Sequence, residues 1–179
     1  GEKLTWALEH FDLLPAGLVC CDLGSNVGGF VDALLQAGAS RVHSVDTSYG
    51  TLAWNLRNDS RVVVYERTNA LFVELPEKVD LVTSDVGWTR QEKVLPKAVS
   101  LLKPGGFVLS LLKPQYEAEK NELQRGTGRV NDEALPRIIA QVRSVAESLG
   151  SSVRGPDLSP FLGGKGRNPE YYLLLGPFA

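Results

Sequence analysis

The stretch Asp22-Leu23-Gly24-Ser25-Asn26-Val27-Gly28-Gly29-Phe30 constrains this chain more than any other. It joins a short apolar run, Leu18 to Cys21, to a helical pattern, Phe30 to Ala37, closed by Gly38. Glycine lacks a Cβ and tolerates positive φ, so a turn of this composition lets backbone and ligand approach closely. A strand feeding such a turn and then a helix is the opening unit of an α/β sheet. The rest of the chain keeps that rhythm. Arg41 to Val45, Arg61 to Tyr65, Asp80 to Ser84 and Phe107 to Leu112 read as further strands. Leu52 to Arg57 and Glu92 to Leu102 read as helices, the second stopped by Pro104-Gly105-Gly106, and residues 3 to 11 as a helix ahead of the first strand.

Residues 113 to 130 break the pattern: they are polar, contain glycine and have no period, as a functional or mobile loop does. After them Leu135, Ile138, Ile139, Val142, Val145, Ala146 and Leu149 recur at helical spacing within Glu133 to Leu149, with Pro136 tolerable in the first turn. Val153 to Leu158 and Tyr171 to Leu175 read as two strands around a loop, Ser159 to Pro169. The expected fold is therefore α/β and Rossmann-like, a mostly parallel seven-stranded sheet with an antiparallel C-terminal hairpin, in a single domain spanning residues 1–179.

Composition narrows the function. The 179 residues are 43% hydrophobic and 22% charged, an ordinary globular balance, and no apolar run approaches the length of a membrane span. The first 20 residues show no targeting segment, and the adjacent Cys20 and Cys21 suit neither a disulfide framework nor a metal site. A reducing cytoplasm fits this usage, and no metal is expected. A net charge of −2 offers no global field for a polyanion, so an RNA partner has to be met by a local basic patch. Lys113, Lys120, Arg125 and Arg129 in one loop and Lys165 and Arg167 in the other are placed to form one, with Trp88 and Tyr116 available to stack on a base.

The cofactor follows from the turn and its acids. Asp46 closes the second strand, where a carboxylate accepts hydrogen bonds from ribose hydroxyls. A dinucleotide fingerprint is absent, because Asn26 stands where G-x-G-x-x-G needs its second glycine. Asp22, just ahead of the turn, would repel a pyrophosphate and favour a cation. S-adenosylmethionine, with its sulfonium and ammonium, fits both acids, and Asn69 and Ala70 after the third strand are placed to meet an adenine edge.

Taken in order, Asp22 to Phe30, Val45-Asp46, Glu66 to Ala70, Ser84-Asp85-Val86, Leu102 to Gly106 and Leu112 to Gln115 resemble the FtsJ-type ribose 2'-O-methyltransferases. Among these the chain is most similar to the TlyA-type ribosomal RNA methyltransferase and haemolysin-like group. The resemblance implies a catalytic Lys-Asp-Lys-Glu set at Lys3, Asp85, Lys113 and Glu170, and cofactor contacts at Asp22, Gly24, Ser25, Gly28, Gly29, Phe30, Asp46, Asn69, Ala70 and Asp85. It implies methylation of ribosomal RNA. Lys113 is the expected base, its pKa depressed by burial or by the Lys3 cation, while Asp85 and Glu170 hold the two amines in place. Where the TlyA-type group tends to carry a Ser-Phe-Ile-Ser-like stretch after the aspartate, this chain has Val86-Gly87-Trp88-Thr89. Two alternatives stand beside this reading: a methyltransferase of a non-RNA acceptor, and a non-catalytic haemolysin-like protein.

Overall fold

The computed structural model describes residues 1–179, except for the side chain of Lys165, which lies outside the described residues. Its seven strands form one sheet: β1 (Val19–Leu23), β2 (Arg41–Val45), β3 (Val62–Tyr65), β4 (Val79–Ser84), β5 (Leu102–Leu112), β6 (Val153–Leu162) and β7 (Pro169–Leu175). They lie in the order β3-β2-β1-β4-β5-β7-β6. The first five run parallel, and β7 enters antiparallel between β5 and β6, as expected.

Buried strands with alternating side chains give the sheet two apolar faces. One is covered by α1 (Glu2–His10), α2 (Gly29–Gln36) and α3 (Trp54–Arg57) through Leu4, Leu8, Leu34 and Leu56; the other by α4 (Gln91–Ser100) and α5 (Leu135–Glu147) through Leu95 and Val142. Cys20 and Cys21 fall on opposite faces. Burial pushes the Cys20 thiol up to about 12, so it is an inert packing group.

Most boundaries shift by a residue or two from the sequence reading, and those around Pro104 and Gly155 have a structural cause. The fourth helix ends at Ser100 instead of Leu102, and Pro104-Gly105-Gly106 belong to the start of β5. The pairing of β4 with β5 shifts register there, between Val79 and Leu81, which accommodates a proline that cannot donate to the ladder. The sixth strand runs on to Leu162, because the Gly155-Pro156 interruption is absorbed as a register shift between Arg154 and Asp157. Residues 113 to 130 form an ordered layer of short 3-10 turns, tied by a bridge between Leu123 and Val130 and by Arg137 holding Glu122 at 2.5 Å.

Candidate active site

The order of strands reverses between β1 and β4, with β2 on one side and β5 on the other. In open α/β sheets that is where a ligand crevice opens at the carboxyl ends of the strands. A cleft of about 340 Å³ lies there, lined by Gly24 and Asn26 after β1, Asp46 and Thr47 after β2, Thr68 to Ala70 after β3, Asp85 to Thr89 after β4, and Lys113 after β5.

The floor is set by Gly24. Its φ is +83°, and a Cβ there would sit 2.3 Å from the Asp85 carbonyl oxygen, so the turn and the β4 loop meet only because this residue has no side chain. Gly24→Ala is expected to push Asp85 off its position. The fold should lose about 1–3 kcal/mol, the usual cost of such strain, and adenosyl-ligand binding should fail in calorimetry. Unchanged affinity would mean the turn does not shape the cleft.

Each acid of the turn has a distinct environment. Asp46 lines the cleft with both oxygens anchored: Oδ1 accepts from the Asn26 amide at 3.2 Å, and Oδ2 from the Ser48 amide at 3.1 Å and from the Ser48 hydroxyl. Carboxylate oxygens have spare lone pairs, so a ribose diol can still be accepted. Asp22 is wholly buried on β1; the Thr83 hydroxyl donates to its Oδ1 at 2.8 Å, and its Oδ2 has no partner. Burial above all, with Asp85 and Asp46 adding to it, pushes its carboxyl up to about 7 despite the Thr83 hydrogen bond.

The structure divides the expected cofactor residues. Gly24, Asp46, Asn69, Ala70 and Asp85 line the cleft. Asn69 also accepts from the Leu71 amide at 2.9 Å, so it closes its own turn while facing the cleft. Ser25 is buried and its hydroxyl donates to the Asp22 carbonyl, Gly28 lies against Leu52 and Leu56, Gly29 opens α2, and Phe30 packs near Tyr172. These four shape the turn from behind. Asn26, Thr47 and Thr68 line the cleft and were not singled out. Asn26, at φ +52°, is a left-handed position that asparagine tolerates, and its place between the glycines is the signal that could have marked it.

The four residues of the expected catalytic set meet as two ion pairs. Lys113 Nζ lies 2.6 Å from Asp85 Oδ1, and Lys3 Nζ donates to Glu170 Oε1 at 2.9 Å. Lys3 stands in the first turn of α1, and Glu170, only 2% exposed, is the second residue of β7. The expected depression of Lys113 is not found. Burial alone would lower it, but Asp85 and then Glu170 outweigh burial and raise its pKa above the ordinary lysine value. Beneath the pairs sits the Tyr172 hydroxyl, fully buried and unpartnered; burial drives its pKa up, and the charges of Asp85, Glu170 and Asp22 add to the shift.

Beside the cleft, Trp88, Gln115, Tyr116, Leu123 and residues 126–128 enclose a second hollow of about 450 Å³. Trp88 is 90% exposed, and its ring centroid lies 5.2 Å from that of Tyr116. The rings therefore pack on one another, leaving the outer face of Trp88 free for stacking. Arg129 donates to the Arg167 carbonyl at 3.0 Å, which joins the two basic loops.

A crevice at the topological switch point, with an acid just after β2 and an antiparallel last strand, defines the class I methyltransferase fold. A structure of an S-adenosylmethionine-dependent methyltransferase from Mesorhizobium loti shares it, with a TM-score of 0.65 at 18% identity over 94% of each chain. The family follows from closer matches. The model of the family described as FtsJ-like methyltransferase matches residues 1–150, and the chain belongs to that family. It is 42% identical to the 16S/23S rRNA (cytidine-2'-O)-methyltransferase TlyA of Mycobacterium tuberculosis, over 98% of this chain and 66% of that relative. The chain thus spans just under two thirds of the relative's length. A solved structure of a candidate hemolysin from Lactococcus lactis superposes with a TM-score of 0.90 at 35% identity, covering 97% of this chain and 84% of the other. Among the described residues, no helix is long and apolar enough to cross a membrane.

Proposed function

We propose that this protein methylates the ribose 2'-hydroxyl of ribosomal RNA with S-adenosylmethionine. The observation that carries the reading is the pairing of Lys113 with Asp85 and of Lys3 with Glu170, the first pair at the cleft wall and the second close enough for Glu170 to act on Lys113. The relative from Mycobacterium tuberculosis, named for this reaction on 16S and 23S RNA, supports the choice of acceptor.

The residues fit the cofactor. Gly24 leaves room that a side chain would fill, Asp46 offers an anchored carboxylate to the ribose diol, Asn69 and Ala70 border the adenine side, and the unpartnered oxygen of Asp22 provides negative potential for the cationic end. Bound S-adenosylmethionine supplies a methyl group on a positively charged sulfur, open to displacement by an oxygen nucleophile.

The chain's own part is to present that oxygen and take its proton. Asp85 fixes the Lys113 amine at the cleft wall, and Lys113 orients the hydroxyl by hydrogen bonding. Lys113 serves as base only after giving up its own proton, because two carboxylates hold it as an ammonium. Around this centre, Trp88 offers a stacking face, and the exposed Lys120, Arg125 and Arg167 offer charge to phosphates. Label transferred from methyl-labelled S-adenosylmethionine to ribosomal RNA tests the proposal; cofactor binding with no transfer to subunits or free RNA contradicts it.

The raised Lys113 pKa sets the direction of the pH dependence. The amine becomes available only as pH rises through the folded-state value, so kcat should climb into the alkaline range. Asp85→Asn removes the strongest of the charges that raise it and leaves the burial that lowers it. The ascending limb should therefore move to lower pH, even as the maximum falls from lost orientation. A limb that stays in place would remove Lys113 from the proton transfer.

A further inference from the structure

Asn168 lies two residues before Glu170 and is completely buried, yet no part of the proposed chemistry uses it. Its side chain spends both ends on the loop opposite. Oδ1 accepts from the Val130 amide at 2.8 Å, and Nδ2 donates to the Gly128 carbonyl at 3.1 Å. Its own carbonyl accepts from the Gly163 amide at 2.9 Å, closing residues 163–168 into a loop around the glutamate. The loop is tight on both sides: a Cβ on Gly163 would lie 2.9 Å from Glu170 Oε2, and one on Gly166, at φ +81°, would lie 2.8 Å from the Thr127 carbonyl.

Residues 126–128 are the same ones that wall the hollow beside Trp88. One buried amide therefore fixes the wall of that hollow to the strand that carries Glu170. A fully buried side-chain amide with both ends bonded is expensive to break, so the connection is stiff.

We propose that Asn168 is a positioning residue that clamps the 124–130 loop to β7 and sets the acceptor side of the site relative to the Lys3–Glu170 pair. This rests on the ribose-methylation reading for what the hollow accepts, but the clamp itself does not depend on it. Breaking it should release the loop and leave cofactor binding intact, since Asn168 hydrogen-bonds to none of the residues that line that cleft.

Two variants test it. Asn168→Ala removes both hydrogen bonds; Asn168→Asp keeps the acceptor for Val130 and loses the donor to Gly128. Trypsin should cut after Arg125 or Arg129 several-fold faster in the alanine variant, with the aspartate variant between it and wild type. Calorimetric affinity for S-adenosylmethionine should not change. With RNA as substrate, KM should rise about tenfold and kcat should fall less, as misplacement of an acceptor wall predicts. Equal proteolysis in all three proteins, or loss of cofactor affinity along with RNA affinity, overturns the clamp. Failure of the ribose reading shows instead as absence of RNA methylation in wild type, with the proteolysis difference intact. Should Asn168→Ala not fold, Gly166→Ala strains the same junction from the other side, and its loop should likewise open to trypsin.

Discussion

Lys113→Ala should lose about three orders of magnitude in methyl transfer, the combined effect of a missing proton acceptor and a misplaced hydroxyl, while binding S-adenosylmethionine with near wild-type affinity. The side chain lines the cleft beside Asp85, so the proposed adenosyl-binding residues Asp46, Asn69 and Ala70 are untouched. Lys113→Arg sharpens the result. Arginine preserves the charge that pairs with Asp85 but does not give up a proton in this range, so it should be nearly as inactive as alanine. Measured kcat for the three proteins decides the matter, and an active arginine variant would reduce Lys113 to a positioning charge.

The second large effect concerns Asp22. Its carboxyl ionises near 3.8 when exposed and at about 7 in the fold, so the protein binds a proton more tightly folded than unfolded. The part of the stability that Asp22 supplies is therefore full at low pH and is lost as pH rises from about 4 to about 7. Holding the carboxylate ionised at pH 8 costs about 4 kcal/mol at about 1.4 kcal/mol per pKa unit. Asp22→Asn removes that cost and keeps an acceptor for Thr83, so its melting temperature should stop falling between pH 5 and pH 8 and should exceed that of wild type at pH 8. Cofactor affinity should weaken at least about tenfold at the same pH, or roughly 1.4 kcal/mol. A stabilised variant that binds the cofactor as well as wild type would leave the buried carboxylate without a purpose.

The elements legible in the sequence are those whose signal is local. The strand Arg41–Val45 has the bounds read from the sequence, and the Gly24 turn and the acid closing that strand marked two walls of the cleft. Where an irregularity is repaired by a neighbour, the local signal misled. Pro104-Gly105-Gly106 has the sequence of a helix stop, but β4 accepts it into a shifted ladder. The polar run after Lys113 has no period because its order comes from Arg137 and Asn168, both distant in sequence. The resemblance brought Asp85 and Glu170 to the two amines, but which acid holds which lysine was not legible: Lys3 and Glu170 are 167 residues apart. The sign of the Lys113 shift failed for the same reason. Asp85 was expected to hold an amine, but that it lies 2.6 Å from Lys113 and so outweighs burial is a fact of three-dimensional structure alone.

Whether the methyl group lands on a ribose oxygen is read from the position of the label. Ribosomal RNA labelled by the wild-type protein should be hydrolysed in alkali and its products separated. A methylated 2'-oxygen cannot attack the neighbouring phosphate, so the label should appear in an alkali-resistant dinucleotide and be absent after reaction with Lys113→Ala. Label recovered in mononucleotides, as a methylated base would give, contradicts it.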